Sequence, residues 1–246
     1  MSKSGAGIGD LLGGSDRRVL STGNPEIDGK LADGLPLESL TLIEGENDTG
    51  KSVITQQIIW GAMKAGLCVD LFSSENTTKS FISQMESMSL DISDYFAWGY
   101  FKIFPTHSSG FQWTGEEMQA VLHRVINHIR TSQAEVIVID SLTLLTDAKN
   151  SDILSFLTSC KNLVDHGKTI LFTLHTYAFE EDTLVRIRSI CDAHLHMKKA
   201  LVGDKYVMVM EVVKVRGAHK TTGNVVSFEV HPGYGMKVIP ISMARV

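Results

Sequence analysis

The chain has 246 residues, of which 43% are hydrophobic and 21% charged, with a formal net charge of −5. That is room for one α/β domain with a substantial core, at the composition of a soluble globular protein. No apolar run approaches the ~20 residues of a membrane span, the N-terminus has no basic-then-apolar signal peptide, and the acidic balance argues against broad phosphate-backbone binding to nucleic acid.

Residues 1–18 are Gly- and Ser-rich and end in Asp16-Arg17-Arg18, which reads as a flexible tail. Residues 19–246 read as one domain. Leu40–Ile43 is an apolar strand, and Lys51–Ala65 is a helix ended by Gly66. The same alternation continues through a strand at Leu67–Ser73 and a helix at Thr77–Met88. It then gives a strand at Tyr100–Phe104, a helix at Glu116–Thr131, a strand at Val136–Asp140 and a helix at Asp152–Val164. It closes with a strand at Thr169–Leu174 and a short helix at Thr183–Ile190. Short apolar strands alternating with helices predict an α/β fold, a mostly parallel sheet with helices on both faces. Four further strands follow, at Asp192–Met197, Tyr206–Val215, Val225–Glu229 and Met236–Ile239, punctuated by Gly203-Asp204 and Pro232-Gly233. They predict an antiparallel extension at one edge of the sheet.

Between the first strand and its helix lies Gly45-Glu46-Asn47-Asp48-Thr49-Gly50-Lys51-Ser52, a complete phosphate-binding loop in the context it needs. The glycines let backbone N–H groups turn inward, and the helix N-terminus adds its dipole. Asn47, Asp48, Thr49, Gly50, Lys51, Ser52 and Val53 are the candidate nucleotide-binding residues. Lys51 is placed to reach the outer phosphates, and the Ser52 hydroxyl to ligate Mg²⁺. The loop is unusually acidic, and Glu46 and Asp48 disfavour a polyphosphate unless they point outward or meet a cation.

Val136–Asp140 ends in a carboxylate, and parallel strands deliver their C-terminal ends to one edge, so Asp140 is the second candidate Mg²⁺ ligand. Glu75, in Ser73-Ser74-Glu75-Asn76, reaches the same edge and is the candidate base for a water attacking the γ-phosphate. Its alternative is a capping segment, with Asn76 or Thr77 starting the next helix. His175 ends another strand and is a candidate sensor of the γ-phosphate, or a histidine satisfied by backbone. Lys214 and Arg216 alternate on a late strand. They form either a solvated face or a pair reaching a neighbouring subunit's phosphate.

These motifs resemble the RecA/RadA superfamily and its KaiC-like branch over about residues 19–240. Ser21-Thr22-Gly23, Ile27-Asp28 and Asp33-Gly34-Leu35-Pro36 resemble that branch's leader. Glu75 matches the position of its catalytic glutamate, and Lys214 and Arg216 match its Lys-x-Arg. Within the branch the chain is similar to the ATP-binding components of the archaeal flagellum (archaellum) motor, partly through Ser74–Ser80. The resemblance implies a RecA-like P-loop core that binds ATP and Mg²⁺. It implies a homo-oligomeric, hexameric ring in the cytoplasm, peripheral to the membrane through its partners. Those partners are the motor's secretion-type ATPase and its membrane platform protein. Glu75 is followed by Asn76 where many relatives carry a second carboxylate, so slow or absent hydrolysis is expected. The competing function is a RecA/RadA-like DNA-dependent ATPase of recombination or repair. The acidic Phe179-Glu180-Glu181-Asp182 segment speaks against DNA at that loop.

The remaining features have plainer readings. Cys68, Cys160 and Cys191 lack metal or redox spacing and read as reduced, mostly buried thiols. His194 and His196 share a strand face, which can bind metal, but with no third ligand in the sequence nearby they read as a surface pair. Met85, Met88, Met208 and Met210 read as core filler. The aromatic stretch from Tyr95 to Trp113 reads as a partner surface or a satellite core.

Overall fold

A computed structural model describes residues 19–106, 115–142, 150–202, 204–217 and 224–239. The tail at 1–18, Trp113 and Gly203 lie outside them.

Among the described residues the central sheet has nine strands in the order β11-β10-β9-β8-β3-β7-β6-β4-β5. β3 (Leu40–Gly45), β4 (Val69–Ser73), β5 (Phe101–Pro105), β6 (Val136–Asp140), β7 (Thr169–His175) and β8 (Ala193–Val202) run parallel. β9 (Lys205–Val215), β10 (Val225–His231) and β11 (Gly235–Ile239) extend it antiparallel. The observed architecture is therefore the expected mixed one. The strands in the middle are Val-, Ile- and Leu-rich because both of their faces are covered, which leaves no alternation to read.

The two faces hold separate cores. Ile43, Leu71, Val138 and Leu195 pack with Ile54, Ile58 and Met63 of α2 (Lys51–Lys64) and Phe81 and Met85 of α3 (Thr78–Ser87). Leu40, Leu42, Ile139 and Phe172 pack with α5 (Gly115–Thr131), α6 (Asn150–Val164) and α7 (Glu181–Ile190), through Ile129, Leu157 and Ile187 among others. Alternate residues of β3 serve opposite cores, as a period of two requires.

The leader does local structural work. Asp28, at the end of α1 (Pro25–Asp28), accepts from Ser21 Oγ at 2.6 Å, Thr22 N at 2.8 Å and Thr22 Oγ1 at 2.7 Å. This knot presses the leader onto α2 at Gly61, where a Cβ would stand 2.0 Å from the Ser21 carbonyl oxygen. β1 (Val19–Leu20) and β2 (Leu35–Pro36) pair antiparallel around it. Thr77 caps α3 by accepting from Ser80 N at 3.2 Å, which leaves Glu75 outside the capping role.

The aromatic stretch divides. Tyr95, on α4 (Ser93–Ala97), meets Trp60 edge-on at 6.1 Å, and Phe104 stacks on Phe72 at 5.2 Å, so both belong to packed regions. Trp98 is 79% exposed. Among the described residues no helix is long and apolar enough to cross a membrane. The cysteines are free, with Cys160 and Cys191 buried and Cys68 partly so.

Candidate functional site

β3 and β4 are consecutive in sequence across α2, yet β7 and β6 lie between them in the sheet. Such a switch in strand order opens a crevice at the carboxyl ends, where α/β proteins bind ligands. A cleft of about 460 Å³ lies there, lined by the loop from Asn47 to Val53 and by Glu75, Asp140, His175 and Met208. Every sequence-predicted residue except Lys214 and Arg216 converges on it.

The loop is held in shape by its own chemistry. Gly50 has φ +90°, a left-handed conformation that favours glycine, and Met208 Sδ lies 2.7 Å from where a Cβ would stand. Thr49 Oγ1 donates to the Glu46 carbonyl at 2.8 Å. Glu46 is exposed and does not line the cleft, whereas Asp48 lines its rim, 3.8 Å from Lys199 Nζ. Of the two acidic residues, Asp48 is the one left facing the phosphate cradle, with Lys199 as its nearby cation. Met85, Met88 and Met210 are buried as expected, and Met208 packs half-buried against the same core while also lining the cleft.

Lys51 is drawn inward. Its Nζ donates to the carbonyls of Gly45 at 3.0 Å and Glu46 at 2.6 Å and lies 3.2 Å from His175 Nδ1. Burial pulls its pKa below the usual lysine range, while the charges of Glu75, Asp140 and Asp48 oppose that. His175 Nε2 stands 3.7 Å from Glu75 Oε1. Burial, then the Lys51 charge, hold the imidazole below its ordinary value.

Asp140 is nearly sealed from solvent and accepts from Thr173 Oγ1 at 2.6 Å. Burial raises its pKa, and the nearby Glu75 charge adds to that. The Asp140–Ser141 peptide is cis. Ser74 N donates to the Asp140 carbonyl at 2.8 Å, which fixes the ends of β4 and β6 side by side. Asn76, in contrast, accepts from Ser80 Oγ at 3.2 Å and Gln84 Nε2 at 2.9 Å. Glu75 is therefore the carboxylate of that pair that faces the cleft.

A buried carboxylate beside a second one, with a hydroxyl on the first turn of α2 across the cleft, is an oxygen donor set that suits Mg²⁺. Asp140 and Ser52 would hold that ion. It would supply charge compensation for a bound polyphosphate and for the carboxylates.

Lys214 and Arg216 lie elsewhere. Lys214 Nζ donates to the Arg188 carbonyl at 2.8 Å, and Arg216 Nη2 to the Ser189 carbonyl at 3.0 Å, so both grip the C-terminal end of α7. A second cleft of about 480 Å³ opens beside Lys214, lined also by Glu44, Arg188, His194 and His196. Here the surface-pair reading of the histidines needs correction. His194 is 6% exposed, with Nε2 2.9 Å from Glu44 Oε2 but off the direction of a good hydrogen bond. Among the described residues no cluster of three metal-ligating side chains forms. Sequence reasoning also missed Tyr177, whose hydroxyl donates to Asn47 Oδ1 at 2.8 Å.

A family description reading "ATPase: KaiC" matches residues 20–243. The archaeal flagellar ATP-binding protein FlaH of Sulfolobus acidocaldarius is 34% identical over 92% of this chain and 99% of its own length. The chain belongs to the KaiC-like ATPase family, among the FlaH proteins. Its FlaH relative from Methanocaldococcus jannaschii is 25% identical over 89% of this chain and 94% of that protein. The crystal structure of flagellar accessory protein FlaH from Methanocaldococcus jannaschii superposes with a TM-score of 0.81 at 23% identity, covering 92% of this chain and all of that one. A KaiC-like protein from Pyrococcus horikoshii OT3 superposes with a TM-score of 0.73 at 19% identity, covering 91% and all of the two chains. Both structures share the RecA-like FlaH fold described above.

Proposed function

We propose that this chain is the ATP-binding regulatory component of an archaellum motor. The observation that carries this is the convergence of Lys51, Ser52, Glu75, Asp140 and His175 on one cleft, with Lys214 and Arg216 outside it. The names of the FlaH relatives supply the ATP and the flagellar setting.

MgATP occupies the cleft. Loop amides from Asn47 to Val53 take the phosphates, and Lys51 exchanges its two carbonyl partners for phosphate oxygens. Lys214 and Arg216 of one copy reach the nucleotide of the next, so the complete site lies between subunits of a hexameric ring. The nucleotide favours the ring because it binds the assembled state better, which is all that control by a ligand requires. The ring docks on the motor's secretion-type ATPase and the membrane platform, and so sits in the cytoplasm against the membrane.

Hydrolysis is slow or absent. Glu75 takes the proton from an attacking water at a carboxylate oxygen, without help from Asn76, which is turned into α3. Phosphate release from MgATP tests the reading, run beside Glu75→Gln and with single-stranded DNA added. Tight binding with negligible release supports a switch. Steady-state turnover above about one per second, the low end of ordinary enzymes, overturns the slow-hydrolysis reading. Strong stimulation by DNA favours the recombinase function instead.

A further inference from the structure

Tyr177 is 63% exposed, yet its ring is fixed at two points. It stacks on His175 at a centroid distance of 5.1 Å and an interplanar angle of 27°. Its hydroxyl donates to Asn47 Oδ1 at 2.8 Å, across a sequence separation of 130 residues. Neither contact adds to a core, and both partners line the nucleotide cleft.

We propose that Tyr177 is a positioning residue that fastens the phosphate loop to the γ-phosphate end of the cleft and biases the site toward nucleoside triphosphate over diphosphate. The inference rests on the MgATP reading above and names a residue that discriminates at that site.

Asn47 sits mid-loop, in the exposed run Glu46-Asn47-Asp48. The internal bond from Thr49 to the Glu46 carbonyl leaves the Asn47 side chain to be anchored from outside. An anchor ordered before the ligand arrives removes part of the entropic cost of binding. The other half of the tie passes through His175, which contacts Lys51 Nζ at 3.2 Å and faces Glu75 at 3.7 Å. One tyrosine thus joins the segment that wraps phosphates to the lysine and carboxylate that meet the outermost one. A diphosphate uses the loop but does not extend to that end. Loss of the tie therefore costs the triphosphate more.

The test compares the wild type, Tyr177→Phe, Asn47→Ala and the double variant. Phenylalanine keeps the stack on His175 and deletes only the hydroxyl. In ligand-free protein, amide exchange over residues 46–50 is expected to be faster in Tyr177→Phe. By calorimetry, affinity for a nonhydrolysable MgATP analogue is expected to fall about fivefold, the scale of one net hydrogen bond, with a smaller fall for MgADP. The double variant is expected to be no weaker than the weaker single, because both remove one contact. Unchanged exchange with an unchanged triphosphate-to-diphosphate ratio overturns the inference, as does an additive double variant. A wild type that binds neither nucleotide overturns the MgATP reading and with it the discrimination. The exchange comparison still judges the loop tie on its own.

Discussion

Lys51 Nζ and His175 Nδ1 lie 3.2 Å apart, and the ammonium can only donate. The ring proton therefore sits on Nε2, toward Glu75. His175 is a neutral acceptor that holds the loop lysine in its inward position, and protonating it would set two cations face to face.

That relationship predicts a pH dependence. Burial and Lys51 hold His175 below its ordinary 6.5, so below that pH the unfolded chain binds a proton the folded one refuses. Stability is then full above pH 6.5 and falls as pH drops through 6.5 toward the lowered value. His175→Gln removes that loss. Urea denaturation at a series of pH values is expected to show the wild type losing more stability than the variant on acidification. Parallel curves would remove His175 from the account.

Asp140 predicts a trade of stability for function. Its pKa is raised by burial, so above the ordinary carboxylate range the unfolded chain has released a proton that the folded apoprotein holds on to, and stability falls as pH rises. Asp140→Asn keeps an oxygen for the Thr173 hydroxyl and removes the charge. The nucleotide-free variant is expected to melt about 2–4 °C higher at neutral pH, the effect of about 1 kcal/mol in a domain of this size. Its nucleotide affinity is expected to lose its dependence on Mg²⁺. A lower melting point would show that the aspartate is held by more than Thr173.

The parts of this site that the sequence makes legible are those governed by local rules. A loop between an apolar strand and a helix can be read directly, and so can a carboxylate at the end of Val136–Asp140, because chain direction puts it at the loop's edge. Boundaries fell within a few residues for the same reason, with β8 running on from Met197 to Val202 as half of a hairpin with β9. What escaped depends on pairings far apart in sequence. Glu44 looks like a strand-end residue until Arg188, 144 positions away, lies against it. His194 alternates as a surface residue would, yet it lies buried against Glu44. Tyr177 has no motif at all. A tyrosine two residues past a candidate sensor was the one available signal.

Lys214 and Arg216 predict a separation between binding and assembly. They grip carbonyls at the end of α7 and stand outside the loop cleft. The double variant Lys214→Ala, Arg216→Ala is expected to bind MgATP as a dilute single copy as the wild type does, and to lose the MgATP-dependent shift to a ring in sedimentation. Loss of binding by the isolated copy would instead place these cations at their own subunit's site.

Glu44 predicts the largest stability effect. It immediately precedes the loop at Gly45 and is 1% exposed. Burial alone would raise its pKa, but the hydrogen bonds and charge of Arg188, with the charge of His194 beside it, outweigh that and hold it at about 2. Arg188 Nε donates to Oε2 at 2.8 Å, and Nη2 reaches Oε1. Arg188→Met leaves a buried carboxylate with only His194 beside it, and breaking one side of such a pair costs about 3–5 kcal/mol. Because Arg188 is partly solvent-exposed, the low end is expected, read as a fall in urea midpoint. The pair Glu44→Gln, Arg188→Met is expected to recover most of it, since no stranded charge remains. Glu44's contribution is whole above its ordinary pKa of 4.5 and is lost as pH falls toward about 2. Wild type and Glu44→Gln should therefore converge in stability across that acid window. A Glu44→Gln, Arg188→Met protein no more stable than Arg188→Met alone would mean that the arginine acts by packing α7 against the sheet, not by answering the buried charge.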